Sequence, residues 1–98
     1  MKTAEKVRKE LKDIRYYYSK QRSFDCASKT IGENAVMDTV VKYNEAVKFA
    51  PPRLYDLYIA LYTKNNSQAA VANEWNFSNI YIKKLNKKLC DYFQGALV

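Results

Sequence analysis

Seven residues in a run of ten carry groups suited to a polyanion: Ser78, Asn79, Ile80, Tyr81, Lys83, Lys84 and Lys87. Lysine ammonium groups neutralise phosphates and release the counterions condensed around a duplex. Hydroxyl and amide groups near a helix N-terminus donate to phosphates or reach base edges. An exposed isoleucine beside them is unusual on a solvated face, yet it suits contact with a thymine methyl in the major groove. With Ile82, Leu85, Leu89 and Phe93 turned inward at helical spacing, Ile80, Lys83, Lys84 and Lys87 fall on the outer face. A lysine-rich face also serves plain solubility. The elements around it must decide between the two.

The rest of the inventory argues against catalysis. The chain has no histidine, which removes the commonest general base and any histidine-dependent nucleophile. Gly32 and Gly95 stand alone, so no glycine-rich phosphate loop exists. The carboxylates are scattered one at a time along lysine-rich helices, where i,i+4 pairing such as Glu5 with Lys9 accounts for them. Cys26 and Cys90 lie far apart, and two cysteines without histidine fall short of the about four N or S ligands of a structural zinc site. The expectation is a non-enzyme with no catalytic, cofactor-binding or metal-binding residues.

Lys and Arg outnumber Asp and Glu by 17 to 10, a net charge of +7, and the pI is near 9.4. Such a balance favours nucleic acid or an acidic membrane surface as partner. The start of the chain, MKTAEKVRKELKDIR, is charged throughout, and no apolar run approaches the roughly 20 residues that span a bilayer. A cytoplasmic protein with reduced thiols and no membrane association is expected. Ninety-eight residues suffice for one domain. Two glycines and two prolines punctuate too little for a multi-stranded β architecture, so the fold class is all-α, with four to five helices.

Those helices must present the basic face. Ser67 can cap a short helix from Gln68 to Glu74 or Trp75. Asn76-Phe77 reads as a tight break with Asn76 left-handed, and Ser78 can cap a helix from Asn79 to about Phe93. Ala72 is the small residue where two steeply crossed helices meet, and Val71, Trp75, Phe77, Ile82 and Leu85 face a shared core. The preceding helix, about Pro52 to Thr63, is apolar nearly all round and forms the third wall. Its tyrosines, Tyr55, Tyr58 and Tyr62, set rings in the core and hydroxyls at the rim. One core of Leu57, Leu61, Val71, Ala72, Trp75, Phe77, Ile82 and Leu85 is predicted. Lys64-Asn65-Asn66 makes the turn between, one of the asparagines being left-handed.

The stretch from Arg53 to Leu89 resembles the C-terminal helix-turn-helix of sigma-70-type factors, the domain that reads the promoter −35 element. An apolar helix, a short polar turn, an alanine-bearing helix, the Asn76-Phe77-Ser78 turn and a long basic helix carry the likeness. The chain is similar in length and style to small sigma-like regulators of phages and mobile elements. The resemblance implies a sequence-specific transcription regulator on duplex DNA, with RNA polymerase as a further partner. Asn76 stands where glycine is usual in that family, and Asn65 and Asn66 replace its acidic residues before the first motif helix.

Residues 51–98 thus form the helix-turn-helix region, and residues 1–50 an N-terminal helical pair within the same compact domain. The first helix runs from about Thr3 to Gln21, capped by Thr3, with Val7, Leu11, Ile14 and Tyr18 as its stripe. A loop follows from Arg22 to Glu33. A second helix, Asn34 to Phe49 with Asn34 as cap, carries Val36, Met37, Val40, Val41, Tyr43 and Val47, and Pro51-Pro52 ends it. The first stripe needs a cover, either that second helix or a second copy of the chain in a homodimer. Two other uses of such a fold stand beside DNA regulation: a non-catalytic protein–protein adaptor, and a DNA-packaging recognition subunit of a phage.

Overall fold

Val7, Leu11 and Ile14 recur every three or four residues, and the helix that carries them has one completely covered edge. The computed structural model describes residues 3–20 and 31–97. Within them α1 spans Ala4–Ser19, α2 Ile31–Val47, α3 Pro52–Tyr58, α4 Gln68–Trp75 and α5 Asn79–Ala96. The chain is all-α, with no strand among the described residues.

Local chemistry sets most of the ends. Thr3, Ser67 and Ser78 are extended residues whose side chains accept the N–H three residues on, from Lys6, Ala70 and Tyr81. Each satisfies one orphan donor of a first turn. Pro52 occupies the first position of α3, where the missing N–H costs nothing. Asn76 closes α4 at φ 60°, ψ 42°. Its N–H and that of Phe77 reach back to the carbonyls of Asn73 (3.4 Å) and Ala72 (2.9 Å), a Schellman ending with asparagine in place of glycine.

Several boundaries differ from the sequence expectation. α1 stops at Ser19, and Gln21 lies outside the described residues, as do Arg22 to Thr30 of the expected loop. α2 begins at Ile31, which makes Asn34 its fourth residue rather than its cap and draws Gly32 and Glu33 into the helix. α2 also ends at Val47, before Phe49, and α5 continues a turn past Phe93 to Ala96. The helix expected from Pro52 to Thr63 is α-helical only to Tyr58. Ile59–Thr63 forms a π-helical turn in which the Lys64 N–H reaches the Ile59 carbonyl at 2.9 Å and the Thr63 hydroxyl donates to the same oxygen at 2.7 Å.

The core takes residues from both halves of the chain. Val7, Leu11 and Ile14 of α1 and Val40, Tyr43 and Val47 of α2 join Leu57, Tyr58, Leu61, Val71, Ala72, Ile82, Leu85, Leu89 and Phe93 in one cluster. The stripe of α1 is therefore covered within the chain. Trp75 and Phe77 pack against this cluster but stay half-buried, so six of the eight predicted core residues lie inside and two form its edge. Phe93 is the hub of an aromatic group, with ring centroids 4.6 Å from Tyr43, 5.6 Å from Tyr58 and 5.7 Å from Tyr92. Buried hydroxyls are satisfied: Tyr58 donates to Asn44 (2.7 Å), Tyr43 to Glu10 (2.8 Å) and Tyr92 to the Ala46 carbonyl (2.7 Å). Of the three tyrosines of the third helix, Tyr58 is buried, Tyr62 half-buried and Tyr55 exposed.

Candidate nucleic-acid interface

The short helix α4 and the long helix α5, joined by the three residues Asn76, Phe77 and Ser78, hold the candidate site. α5 has a divided surface. Ile82, Leu85, Leu89, Cys90 and Phe93 are buried, while Asn79, Ile80, Tyr81, Lys83, Lys84, Lys87 and Lys88 are exposed. Ile80, 68% exposed, is the second residue of the helix. Burying it elsewhere would recover about 1.5–3 kcal/mol, so the fold leaves an apolar side chain in water at the start of this helix.

All seven sequence-predicted residues fall together on or beside the first half of α5. Their roles divide. Ser78 spends an oxygen lone pair on the Tyr81 N–H (3.1 Å), so it holds the helix end and keeps only its O–H to donate. Tyr81 lays its ring against Phe77, centroids 4.7 Å apart, which restrains the phenol next to the turn. Asn79 and Ile80 project from the first turn. Lys83 and Lys84 follow one turn on and Lys87 two, and Lys88 adds a fourth exposed cation that the sequence does not single out. The first turn of α5 carries no acidic residue, so the positive end of its dipole is not compensated from within the helix.

Arg53 is a second omission. Its guanidinium lies 5.5 Å from the Trp75 ring and 5.0 Å from the Phe77 ring, and the cation continues the stack that runs on to Tyr81. Stacking of this kind stabilises by about 0.5–1 kcal/mol at an exposed site and fixes the guanidinium plane. Trp75 and Phe77 thus lie between the core and a cation. Sequence spacing gives no sign of a contact between residues 53 and 77.

The start of α4 is held from α1. Arg15 donates to the Asn65 side chain (3.4 Å) and to the carbonyls of Asn65 (3.3 Å) and Asn66 (3.4 Å). That secures the turn from which α4 starts. Tyr62 hydrogen-bonds Asn86 of α5 at 2.6 Å, and burial pushes the Tyr62 phenol up to about 12. Cys90 is buried, and its thiol is likewise pushed up by burial, the opposite of a reactive thiolate; Cys26 lies outside the described residues. Glu5 was expected opposite Lys9, but Lys9 pairs with Asp13 at 3.7 Å.

No cluster of three potential metal-ligating side chains occurs among the described residues. No helix among them is long and apolar enough to cross a membrane. The chain matches no family model, no curated protein and no solved structure.

Proposed function

We propose that the protein is a sequence-specific, duplex-DNA-binding transcription regulator of the sigma-like kind, not an enzyme, and that α5 enters the major groove. The observation that carries this reading is the division of α5. Its inner face is welded to the core, and its outer face presents Asn79 and Ile80 at the tip with Lys83, Lys84 and Lys87 behind. Rigid helices hold base-reading groups in register better than loops do, and lysines behind them meet phosphates as point charges. The three-residue turn and its capped helix ends fit the same use. On this reading the protein works in the cytoplasm with chromosomal or phage DNA, and RNA polymerase is the further partner its sigma-like character brings.

A second reading, the protein–protein adaptor, has one observation in its favour. Met37 and Val41 are exposed one turn apart on α2, and Phe49 beyond its end is 85% exposed. Exposed apolar groups of this size mark contact surfaces when they are contiguous. With the stripe of α1 covered inside the chain, a homodimer would need another face.

Selection of bound sequences from a pool of random duplex DNA, at two salt concentrations, separates the readings. The regulator enriches a defined motif at the higher salt and binds the pool generally at the lower. Recovery of no motif at either salt contradicts sequence-specific binding.

A further inference from the structure

A cleft of about 530 Å³ opens where the start of α1, the start of α4 and the middle of α5 meet. Arg8 lines one wall, Lys83 and Lys87 the opposite one, and Gln68 and Asn86 lie between. Asn86 gives its side-chain oxygen to the Tyr62 hydroxyl at 2.6 Å, which orients the amide and leaves its NH₂ group as a donor. Asp91 is the one carboxylate of the lining. Neither Arg8 nor Lys83 nor Lys87 has an ion-pair partner among the described residues. Three cations facing one concave space repel each other, and a bound anion relieves that repulsion. Arginine adds a planar fork that matches two oxygens of a phosphate.

We propose that Arg8, Lys83 and Lys87 together hold one phosphate group of the duplex backbone in this cleft, so that the N-terminal helix forms a second wall of the DNA-binding surface. The proposal rests on the DNA-binding reading of α5 and deepens it. Lys83 and Lys87 belong both to the outer face of α5 and to the cleft, so a strand that follows α5 passes its mouth. Adjacent residues of α1 then differ sharply in role. Arg8 faces the cleft, whereas Lys9 is turned about 100° around the helix, is 77% exposed and pairs with Asp13.

The test measures duplex affinity against salt for the full chain and for Arg8→Ala, Arg8→Gln, Lys9→Ala and Lys83→Ala. Thermal melts confirm that each variant is folded, and the exposed position of Arg8 allows both substitutions there. Arg8→Ala and Arg8→Gln are expected to weaken binding to every duplex about three- to tenfold and to lower the salt slope by about one unit, as Lys83→Ala does. Lys9→Ala is expected to leave the slope unchanged. Equal, small effects of Arg8→Ala and Lys9→Ala beside a full effect of Lys83→Ala overturn the cleft and leave the DNA reading of α5 standing. No duplex binding by the unaltered chain removes both. A last arm replaces chloride by inorganic phosphate at constant ionic strength. Loss of the difference between the unaltered chain and Arg8→Ala in about ten millimolar phosphate is expected, since free phosphate competes for the same site; a difference that phosphate leaves unchanged contradicts a phosphate in the cleft.

Discussion

Arg15 on the first helix and Asn65 in the turn before α4 are fifty residues apart in sequence and joined by two hydrogen bonds, one to the side chain at 3.4 Å and one to the carbonyl at 3.3 Å. Asn65 sits at φ 60°, where the chain reverses toward Ser67 and α4. The contact ties the N-terminal half to the entry of the helix-turn-helix.

Charged donors to backbone carbonyls are worth about 1.5–3 kcal/mol at good geometry, and these bonds are long. Arg15→Ala is expected to lower unfolding stability by about 1–2 kcal/mol in urea titrations at neutral pH. Arg15→Lys should recover part of that loss, because one ammonium reaches one of the acceptors. Equal stability of Arg15→Ala and the unaltered chain would show the contact to be incidental.

Asn76 gives a sharper local test. Left-handed backbone costs an ordinary side chain about 1–2 kcal/mol relative to glycine, and asparagine less. Asn76→Gly should be neutral or slightly stabilising, and Asn76→Ala should destabilise by about 1 kcal/mol, as read by chemical denaturation. An Asn76→Ala variant as stable as Asn76→Gly would mean that the turn relaxes to another shape.

How deeply Phe93 and Trp75 are held differs, and truncation should reveal it. Phe93 is fully buried among Tyr43, Tyr58 and Tyr92, so Phe93→Ala should cost about 3–5 kcal/mol and leave little folded protein. Trp75 is half-buried beneath Arg53, so Trp75→Ala should cost about half as much. Urea midpoints decide. A Trp75→Ala variant more damaged than Phe93→Ala would place the centre of the core elsewhere.

What could be read in advance was local. The caps Thr3, Ser67 and Ser78 and the left-handed Asn76 act through bonds to residues within five positions, so their types disclose them. The division of α5 follows from 3.6-residue periodicity alone. The π-helical turn at Ile59–Thr63 was hidden because its residues carry the same apolar pattern as the α-helix before it, and the Thr63 hydroxyl resembles any other in composition. The start of α2 was misplaced because asparagine is a good cap that an upstream turn of helix can override. The places of Arg8 in the cleft and of Arg53 over the Trp75 and Phe77 rings were not legible, since both depend on helices that meet only in the folded chain.

The buried tyrosines set the alkaline limit of the fold. Burial raises the phenols of Tyr43 and Tyr58 well above their ordinary range, Tyr43 with the added repulsion of the Glu10 carboxylate it bonds, and it raises Tyr62 to about 12. Below pH 10 the phenols are neutral in both states and the stability is whole. Above it the unfolded chain loses protons that the folded chain keeps, so stability falls by up to about 1.4 kcal/mol per pH unit for each such tyrosine. Urea midpoints at pH 9, 10.5 and 11.5 should decline, and Tyr62→Phe should reduce the slope between pH 10 and 12. A slope identical in Tyr62→Phe would exclude Tyr62 from the effect.

The proposed function stands or falls with base reading by the outer face of α5. The most direct test measures binding to the selected duplex and to a random-sequence duplex of equal length, for the unaltered chain and for single alanine variants. Asn79→Ala and Ile80→Ala should lose about 1–3 kcal/mol on the selected duplex with little change on random DNA. Lys84→Ala should weaken both alike and reduce the salt slope by about one unit, while Lys9→Ala and Lys12→Ala on α1 leave both intact. If Lys9→Ala and Lys12→Ala weaken binding as strongly as Lys84→Ala, and Asn79→Ala and Ile80→Ala keep the preference for the selected duplex, the attraction is a diffuse charge effect and α5 does not read DNA.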